Sequence, residues 1–509
     1  LSFVLSLDFF EIFVFCLGTL ENDGQRCFYL VLQSVGSCIF LIFAKEIRIT
    51  MKKLLFLSLI CTWTLHVASM TTRQSLNGLW NLYYWKQPDK AAVTSPVGMK
   101  QVEKKMIKAV VPGNVELDLL RERLISDPMV GTGVNDLRPW EGYQWCYERC
   151  FAAPKLKEGQ SAVLHFGGID CLADLWLNGQ CIGKAENMML EHDFDVTDRL
   201  LQNGKENHLQ VILRSSVLEG QKSMLGTISI GNFPSSESTF LRKAPHTYGW
   251  DILPRLVSAG LWRGVELRVF DAVHIRNVHY FVTQIDTSGH TAQVYADVQL
   301  SAPMEKFDKM RLEITLSRNG RVTRSSVPVT SPAVRQVIHI ENADYWWPRG
   351  LGTPALYQAT AALKDENGDI LDEATHRVGL RKVRLERTDI NLPESPGKFL
   401  FYVNDTPMFI HGTNWVPLDA LHSRDTLHLK QSIDMAVDLN CNMIRCWGGN
   451  VYESDAFYDL CDENGIMVWQ DFTMGCTFYP QRASFLQKIE EEVQSVVCRL
   501  RNHPCIALW

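Results

Sequence analysis

The chain has 509 residues, 46% of them hydrophobic and 21% charged, with a formal net charge of −6. That is several times the ~100–200 residues of one typical domain, so two to four domains are expected in an ordinary globular protein. No long basic run occurs, which argues against nucleic acid as the main partner, because phosphate binding needs clustered Lys and Arg.

Residues 1–50 begin with Leu1 and contain no methionine. Met51 then opens "MKKLLFLSLICTWTLHVASM": Lys52 and Lys53, an apolar core, and a small-residue exit at Val67-Ala68-Ser69. This is the layout of a secretory signal peptide over 51–69. Signals sit at true starts, so 1–50 reads as spurious upstream translation. The competing idea is a membrane anchor, but "FEIFVFCLGTL" and "SCIFLIFA" are too short for a ~20-residue span. Lipid attachment at Cys61 is disfavoured by the bulky Ile60 before it. The expected location is therefore outside the cytoplasm, periplasmic or extracellular. Export permits disulfides. The cysteines beyond the signal show no CxxC spacing. Cys171 and Cys181 flank an Asn178-Gly179 turn that sets Cys181 opposite Trp176. Buried free thiols are expected.

Residues 74–272 read as all-β. Trp145, Tyr147, Arg149 and Phe151 alternate with Cys146, Glu148 and Cys150, and Leu209, Val211 and Leu213 follow the same rule. "ADLWLNGQCIG" is a hairpin by its Asn-Gly turn. Many short strands with turn signals predict a jelly-roll β-sandwich. Residues 273–390 are a second β region, in which Val294, Ala296, Val298 and Leu300 alternate, as do Leu312, Ile314 and Leu316. Tyr357, Ala359, Ala361 and Leu363 lead to an Asn367-Gly368 turn. The spacing suits an immunoglobulin-like β-sandwich, with Trp346, Trp347 and Pro348 covering one end.

From 396 the pattern changes. "MFIHGTNWVPL", "MIRCWGG", "IMVWQDF" and "CIALW" read as strands. Helices lie between them: one from Asp425 with Leu429, Ile433 and Val437 on one face, one capped by Ser454 and ended by Gly465, and one marked by Phe485, Ile489, Val493 and Leu500. Alternating strands and helices mean parallel strands with right-handed crossovers, here the first half of a (β/α)₈ TIM barrel over 396–509. In such a barrel the site lies at the strand C-termini. The residues to watch are thus Asn414, Trp415, Arg445, Trp447 and Asp471. No metal-binding helix motif, phosphate loop or nucleophile elbow occurs, so neither metal nor cofactor is expected. Fourteen tryptophans fit core packing, or flat faces set against sugar rings.

Jelly roll, immunoglobulin-like sandwich and barrel, in that order, resemble family-two glycoside hydrolases. "FGGIDCLADLWLNGQCIG" resembles their N-terminal domain and "YWWPRGLGTPALY" their middle domain. "IRCWGGNVYESDAFYDLCDENGIMVWQDF" resembles the β-mannosidase branch, with Trp447-Gly448-Gly449-Asn450 where relatives of other specificity carry a histidine. The resemblance spans residues 75–509. It implies a retaining exo-β-mannosidase that releases terminal nonreducing β-D-mannose, using two carboxyl groups ~5–5.5 Å apart. In that family a sequence like "NHPCIALW" is the fourth barrel strand. The acid/base glutamate follows it and the nucleophile comes later, so both are expected beyond Trp509. The chain is accordingly expected to be a truncated form, inactive as given and poorly soluble.

The resemblance assigns the sugar-holding wall residue by residue. Asp251, in "YGWDILPR", reaches the barrel mouth and accepts from sugar hydroxyls, and its loop blocks one end of the cleft. Ile252-Leu253 stand where the family usually has Trp-Gly. Trp447 forms a wall of the mannose subsite, and Arg445 holds the nucleophile ionised. Trp415, Asn414 and Trp250 are further candidates to line the site, and Asp471 has a supporting role. Core packing for the tryptophans and a structural ion pair for Arg445 are the plainer alternatives. Two rival functions stand beside this one: another family-two specificity, β-galactosidase or exo-glucosaminidase, and a non-catalytic carbohydrate-binding protein. The oligomeric state is left open.

Overall fold

The computed structural model describes residues 2–4, 14–22, 25–34 and 37–42 as backbone strands, and residues 72–223, 236–389, 392–394 and 396–509 more fully. The chain forms two compact units, Leu1–Val67 and Ala68–Trp509. In the first, Ser2–Val4, Val14–Asn22, Gln25–Ser34 and Ser37–Ile42 make an antiparallel sheet in sequence order. The expected signal segment at 51–69, with Cys61, lies outside the described residues. Among the described residues no helix is long and apolar enough to cross a membrane.

The second unit opens with two antiparallel sheets. One runs Gln180–Ala185, Ala173–Leu177, Glu206–Leu213, Tyr143–Ala152, Gly78–Lys86, Lys105–Val111. The other runs His192–Asp195, Ser161–Phe166, Val265–Phe270, Thr72–Ser75. Period-two alternation sends Leu82, Tyr147, Leu164, Phe166, Leu175, Val211 and Leu267 into the shared core. The Asn178-Gly179 turn has φ of 53° and 77°, the doubly left-handed geometry of a type I′ hairpin. The Asn178 side chain accepts from the His208 backbone N–H and donates to Asn207 and Arg199. Trp176 pairs with Cys181 as expected, and Cys171, Cys181 and the eight other cysteines of this unit are free thiols.

The next sandwich pairs His274–Asp286, Thr291–Ser301 and Ala333–Glu341 in one sheet. Arg321–Pro328, Arg311–Arg318, Leu356–Lys364 and Ile370–Gly379 form the other. The alternating residues singled out from the sequence fill its core. The tryptophan pair departs from expectation. Trp347 packs on this sandwich. Trp346 is fully buried in a different core, its indole N–H donating 2.9 Å to the Asp462 carbonyl of the following domain. It joins two domains instead of covering an end of one.

A three-stranded antiparallel sheet, Val383–Arg387, Phe399–Val403 and Thr406–Met408, follows. The boundary read at 390–396 therefore falls within one sheet. Then Gly412–Trp415, Met443–Cys446, Met467–Gln470 and Ile506–Leu508 pair in parallel, in sequence order. The helices Thr426–Asp438, Asp455–Asn464 and Ala483–Leu500 alternate with them. Gly465 ends the second helix at φ 67°, where an added Cβ would sit 2.9 Å from the Arg349 backbone nitrogen. Ser454 occupies the N-cap position, but its side chain makes no capping bond. The buried stripe of the third helix is Phe485, Glu492, Val496 and Leu500, with Ile489 and Val493 only half-buried. The buried face is thus turned by about one residue from the expected one, and it includes the Glu492 carboxylate. The outer strand Gly412–Trp415 leaves all but Trp415 exposed, and Phe409 before it is 78% exposed.

One apolar core joins this parallel sheet to the first sandwich. Cys171, Leu172, Met188, Met189, Leu241, Ala244 and Trp262 of the sandwich pack with Trp346 and with Trp415, Ile433, Tyr452, Met467 and Ile506.

Candidate functional site

The C-terminal ends of the parallel strands gather most of the residues singled out from the sequence. Arg445 donates to Asp471, Nη2 to Oδ2 at 2.6 Å and Nε to Oδ1 at 3.3 Å, and to Asn414 Oδ1 at 3.3 Å. Asp471 Oδ2 also accepts from the Gly448 backbone N–H at 3.2 Å. Asp471 thus fixes both the guanidinium and the start of the Trp447 loop. Arg445 already has a carboxylate partner within the chain, which is the ion-pair reading of that residue. Asn414 is exposed beside it.

Trp415 does not face an open surface. It is only 6% exposed, packs with its ring 4.9 Å from that of Phe457 at a tilt of 52°, and donates its indole N–H to Glu453 Oε1 at 2.9 Å. This corrects its placement as a lining residue: the strand pleat turns it into the core behind the rim. Its carbonyl instead accepts from the Trp447 backbone N–H.

Trp447 and Trp250 meet edge to face, ring centroids 5.0 Å apart at 62°, both half-buried. The sandwich loop therefore reaches the rim of the parallel sheet. Gly249, at φ 103°, starts a tight turn closed by the Trp250 N–H donating to the Leu253 carbonyl at 2.9 Å. Asp251 and Ile252 stand exposed at its tip. The turn forms with Ile252-Leu253 in place, because the glycine that supplies its freedom lies upstream.

Glycine is required behind Trp447. A Cβ on Gly449 would lie 2.0 Å from the Trp447 ring, and one on Gly448 would lie 2.6 Å from the Phe472 carbonyl oxygen. Gly449→Ala is expected to push the Trp447 ring out of place and to cost about 1–3 kcal/mol by overpacking, read as a lower urea midpoint at unchanged slope.

Several buried polar groups were not legible beforehand. His246 and His422 share a 2.6 Å Nε2···Nε2 contact, and His422 Nδ1 lies 2.8 Å from Asp425 Oδ2. The His246 backbone N–H donates to the Gly449 carbonyl at 3.2 Å. Burial, then the neighbouring His422 and Lys243, hold the His246 imidazole well below the ordinary histidine range. Glu453 is pushed up to about 7 by burial and then by Asp425, against the Trp415 hydrogen bond. Arg242 and Glu492, each with its side chain 1% exposed, form a buried ion pair between sandwich and third helix. Only Asp459, Asp462 and His503 group as metal ligands could among the described residues. Asp462 already accepts from the Cys505 backbone and pairs with His503, while Arg377 engages Asp459.

Residues 97–263 match the family model described as glycosyl hydrolase 2 galactose-binding domain-like, and residues 273–381 match glycosyl hydrolases family 2. The chain belongs to glycosyl hydrolase family 2. Within that family its similar curated relatives include the β-mannosidase B of Aspergillus terreus, 32% identical over 409 residues, covering 79% of this chain and 47% of the relative. The β-mannosidase B of Thermothelomyces thermophilus is 35% identical over 407 residues, covering 78% and 46%. The solved β-D-mannosidase of Dictyoglomus thermophilum superposes with a TM-score of 0.74 at 33% identity, over 86% of this chain and 51% of that one. The exo-chitosanase CsxA of Amycolatopsis orientalis, at 17% identity and TM-score 0.62 over 86% and 48%, shares the fold. The chain spans about half the length of the relatives it matches.

Proposed function

We propose that this chain is the N-terminal part of a retaining exo-β-mannosidase that removes terminal nonreducing β-D-mannose from oligosaccharides or glycans. The observation that carries the reading is the Trp250–Trp447 corner, with Asp251 exposed at its lip beside the parallel strand ends. An aromatic corner offers flat faces to the CH side of a pyranose, and a carboxylate at its edge accepts from hydroxyls. The parallel sheet is read as the first half of a (β/α)₈ barrel, whose active centre lies on this face. The loop holding Asp251 closes one end of the cleft, which restricts attack to terminal sugars. Arg445 and Asp471 stiffen the floor.

On this reading the acid/base and nucleophile glutamates lie outside these 509 residues. The chain alone is expected to release no nitrophenol from 4-nitrophenyl β-D-mannoside, while the protein from the complete gene does. A panel of the corresponding β-galactoside, β-glucosaminide and β-glucuronide tests the sugar: preference for any of these overturns the mannose assignment. Asp251→Ala in the complete protein is expected to lose one charge-assisted hydrogen bond, about 1.5–3 kcal/mol, or roughly tenfold to a hundredfold in kcat/KM. Unchanged kinetics would remove Asp251 from the subsite. The signal-like sequence opened by Met51 supports a location in the periplasm or outside the cell, which cell fractionation tests.

A further inference from the structure

We propose that Glu492, acting with Arg242, is a positioning residue from which both halves of the Trp250–Trp447 wall are hung. The proposal rests on the reading of that wall as the mannose subsite. The Glu492 carboxylate is a hub for segments far apart in sequence. Its Oε2 accepts from Arg242 Nε and Asn187 Nδ2, both at 2.8 Å. Its Oε1 accepts from Arg242 Nη2 at 2.6 Å, the Thr473 hydroxyl at 2.7 Å and the Tyr452 hydroxyl at 2.9 Å. Arg242 Nη2 donates in turn to the Thr473 carbonyl at 2.8 Å, and the Thr473 N–H donates to the Tyr452 hydroxyl at 3.1 Å. Burial alone would raise the Glu492 carboxyl, but the Arg242 charge and these hydrogen bonds outweigh it and hold it below the usual range.

Two paths lead from the hub to the aromatic rings. Through Thr473 it grips residues 472–475. This loop leaves no room for a side chain at Gly448, where a Cβ would meet the carbonyls of Phe472 at 2.6 Å and Met474 at 3.0 Å. A Cβ on Gly475 would lie 3.5 Å from the Gly449 Cα and 3.8 Å from the Trp250 ring. Through Arg242 the hub anchors the stretch that leads to His246, whose N–H binds the Gly449 carbonyl, and then to Trp250. A carboxylate needed only to join domains would not have to grip the loop behind each ring. The reading assigns this one the relative placement of the two rings, where small misplacements are costly to function.

The rings themselves supply a readout. Two indoles 5.0 Å apart at 62° couple their transitions into a couplet in circular dichroism, identified as the signal that Trp250→Phe and Trp447→Phe each abolish. In the 509-residue chain, well below its melting temperature, Glu492→Gln is expected to reduce that couplet by at least about half. Thr473→Val, which keeps both charges and is the variant to use should Glu492→Gln not fold, is expected to reduce it less. In the protein from the complete gene, Thr473→Val is expected to raise KM for 4-nitrophenyl β-D-mannoside about tenfold with kcat little changed, the signature of lost uniform binding. A full couplet in folded Glu492→Gln or Thr473→Val, however much either lowers the melting temperature, overturns the proposal. A reduced couplet in a protein that cleaves no mannoside upholds the positioning role and removes the mannose reading instead.

Discussion

Lys243→Met is expected to destabilise the protein by roughly 3–5 kcal/mol, as removal of one member of a buried ion pair does. Lys243 and Asp170 are both 0% exposed and in direct contact. The ammonium also donates to the Ser258 carbonyl at 2.8 Å, and the Ser258 hydroxyl donates to Asp170 Oδ2 at 2.6 Å. Methionine fills much of the same space but leaves Asp170 buried, with a single hydroxyl in place of a cation. Nothing then offsets the burial of that charge. The double variant Lys243→Met/Asp170→Leu, which deletes both charges, is expected to recover much of the loss. Urea unfolding of the three proteins checks this. Independent, additive losses would mean that the two groups are not coupled.

The second large effect depends on pH. Glu116 is buried near the start of the helix Val115–Arg121. Burial first, and the neighbouring Asp170 among the smaller causes, push its carboxyl from 4.5 up to about 8. Its folded-state value thus exceeds the unfolded one, so between them the folded chain keeps a proton that the unfolded chain releases. The stabilisation is fully present below about pH 4.5 and is lost as pH rises through about 8. Glu116→Gln cannot lose that proton. The two proteins are expected to unfold alike near pH 4.5, with the variant more stable by roughly 3–5 kcal/mol at pH 9, given about 1.36 kcal/mol per pKa unit. His246 acts in the opposite sense. Its depressed value favours folding above about 6.5 and is lost as pH falls, but this contribution is common to both proteins and cancels in the comparison. Parallel Tm-against-pH curves would place the Glu116 carboxyl in contact with water.

The elements with a local cause were legible in the sequence. Asn178-Gly179 marks its turn because few other pairs accept left-handed backbone at both positions, and Asn367-Gly368 marks another in which the glycine alone takes it. The alternation of Val294 to Leu300 and the strand–helix alternation after 396 state which faces are buried. The placement of Asp251 and Trp250 near Trp447 came from resemblance, since nothing in "YGWDILPR" alone says what it touches. What stayed hidden depends on packing between distant segments. Glu492 closes the run Glu490-Glu491-Glu492 between Ile489 and Val493, and three successive carboxylates read as solvated. Arg242-Lys243 reads as a basic surface pair. Each is buried only because another domain covers it, and no periodicity within either segment encodes that. Trp415 was misplaced for a related reason: strand period gives two faces, and only the helix carrying Phe457 decides which one is inside.

The buried hub also sets an order of events during synthesis. Lys243 finds Asp170 already made, 73 residues earlier in the chain, whereas Arg242 must wait for a partner 250 residues later. At about 5–20 residues per second, that wait is roughly 12–50 s. Until then the first sandwich carries a guanidinium without this carboxylate, beside the apolar surface of Leu241, Ala244 and Trp262, which is covered in stages as Trp346, Trp415 and Tyr452 are made. In that interval the nascent chain presents an incompletely covered face to other chains, and a chaperone that shields it would act before the third helix emerges.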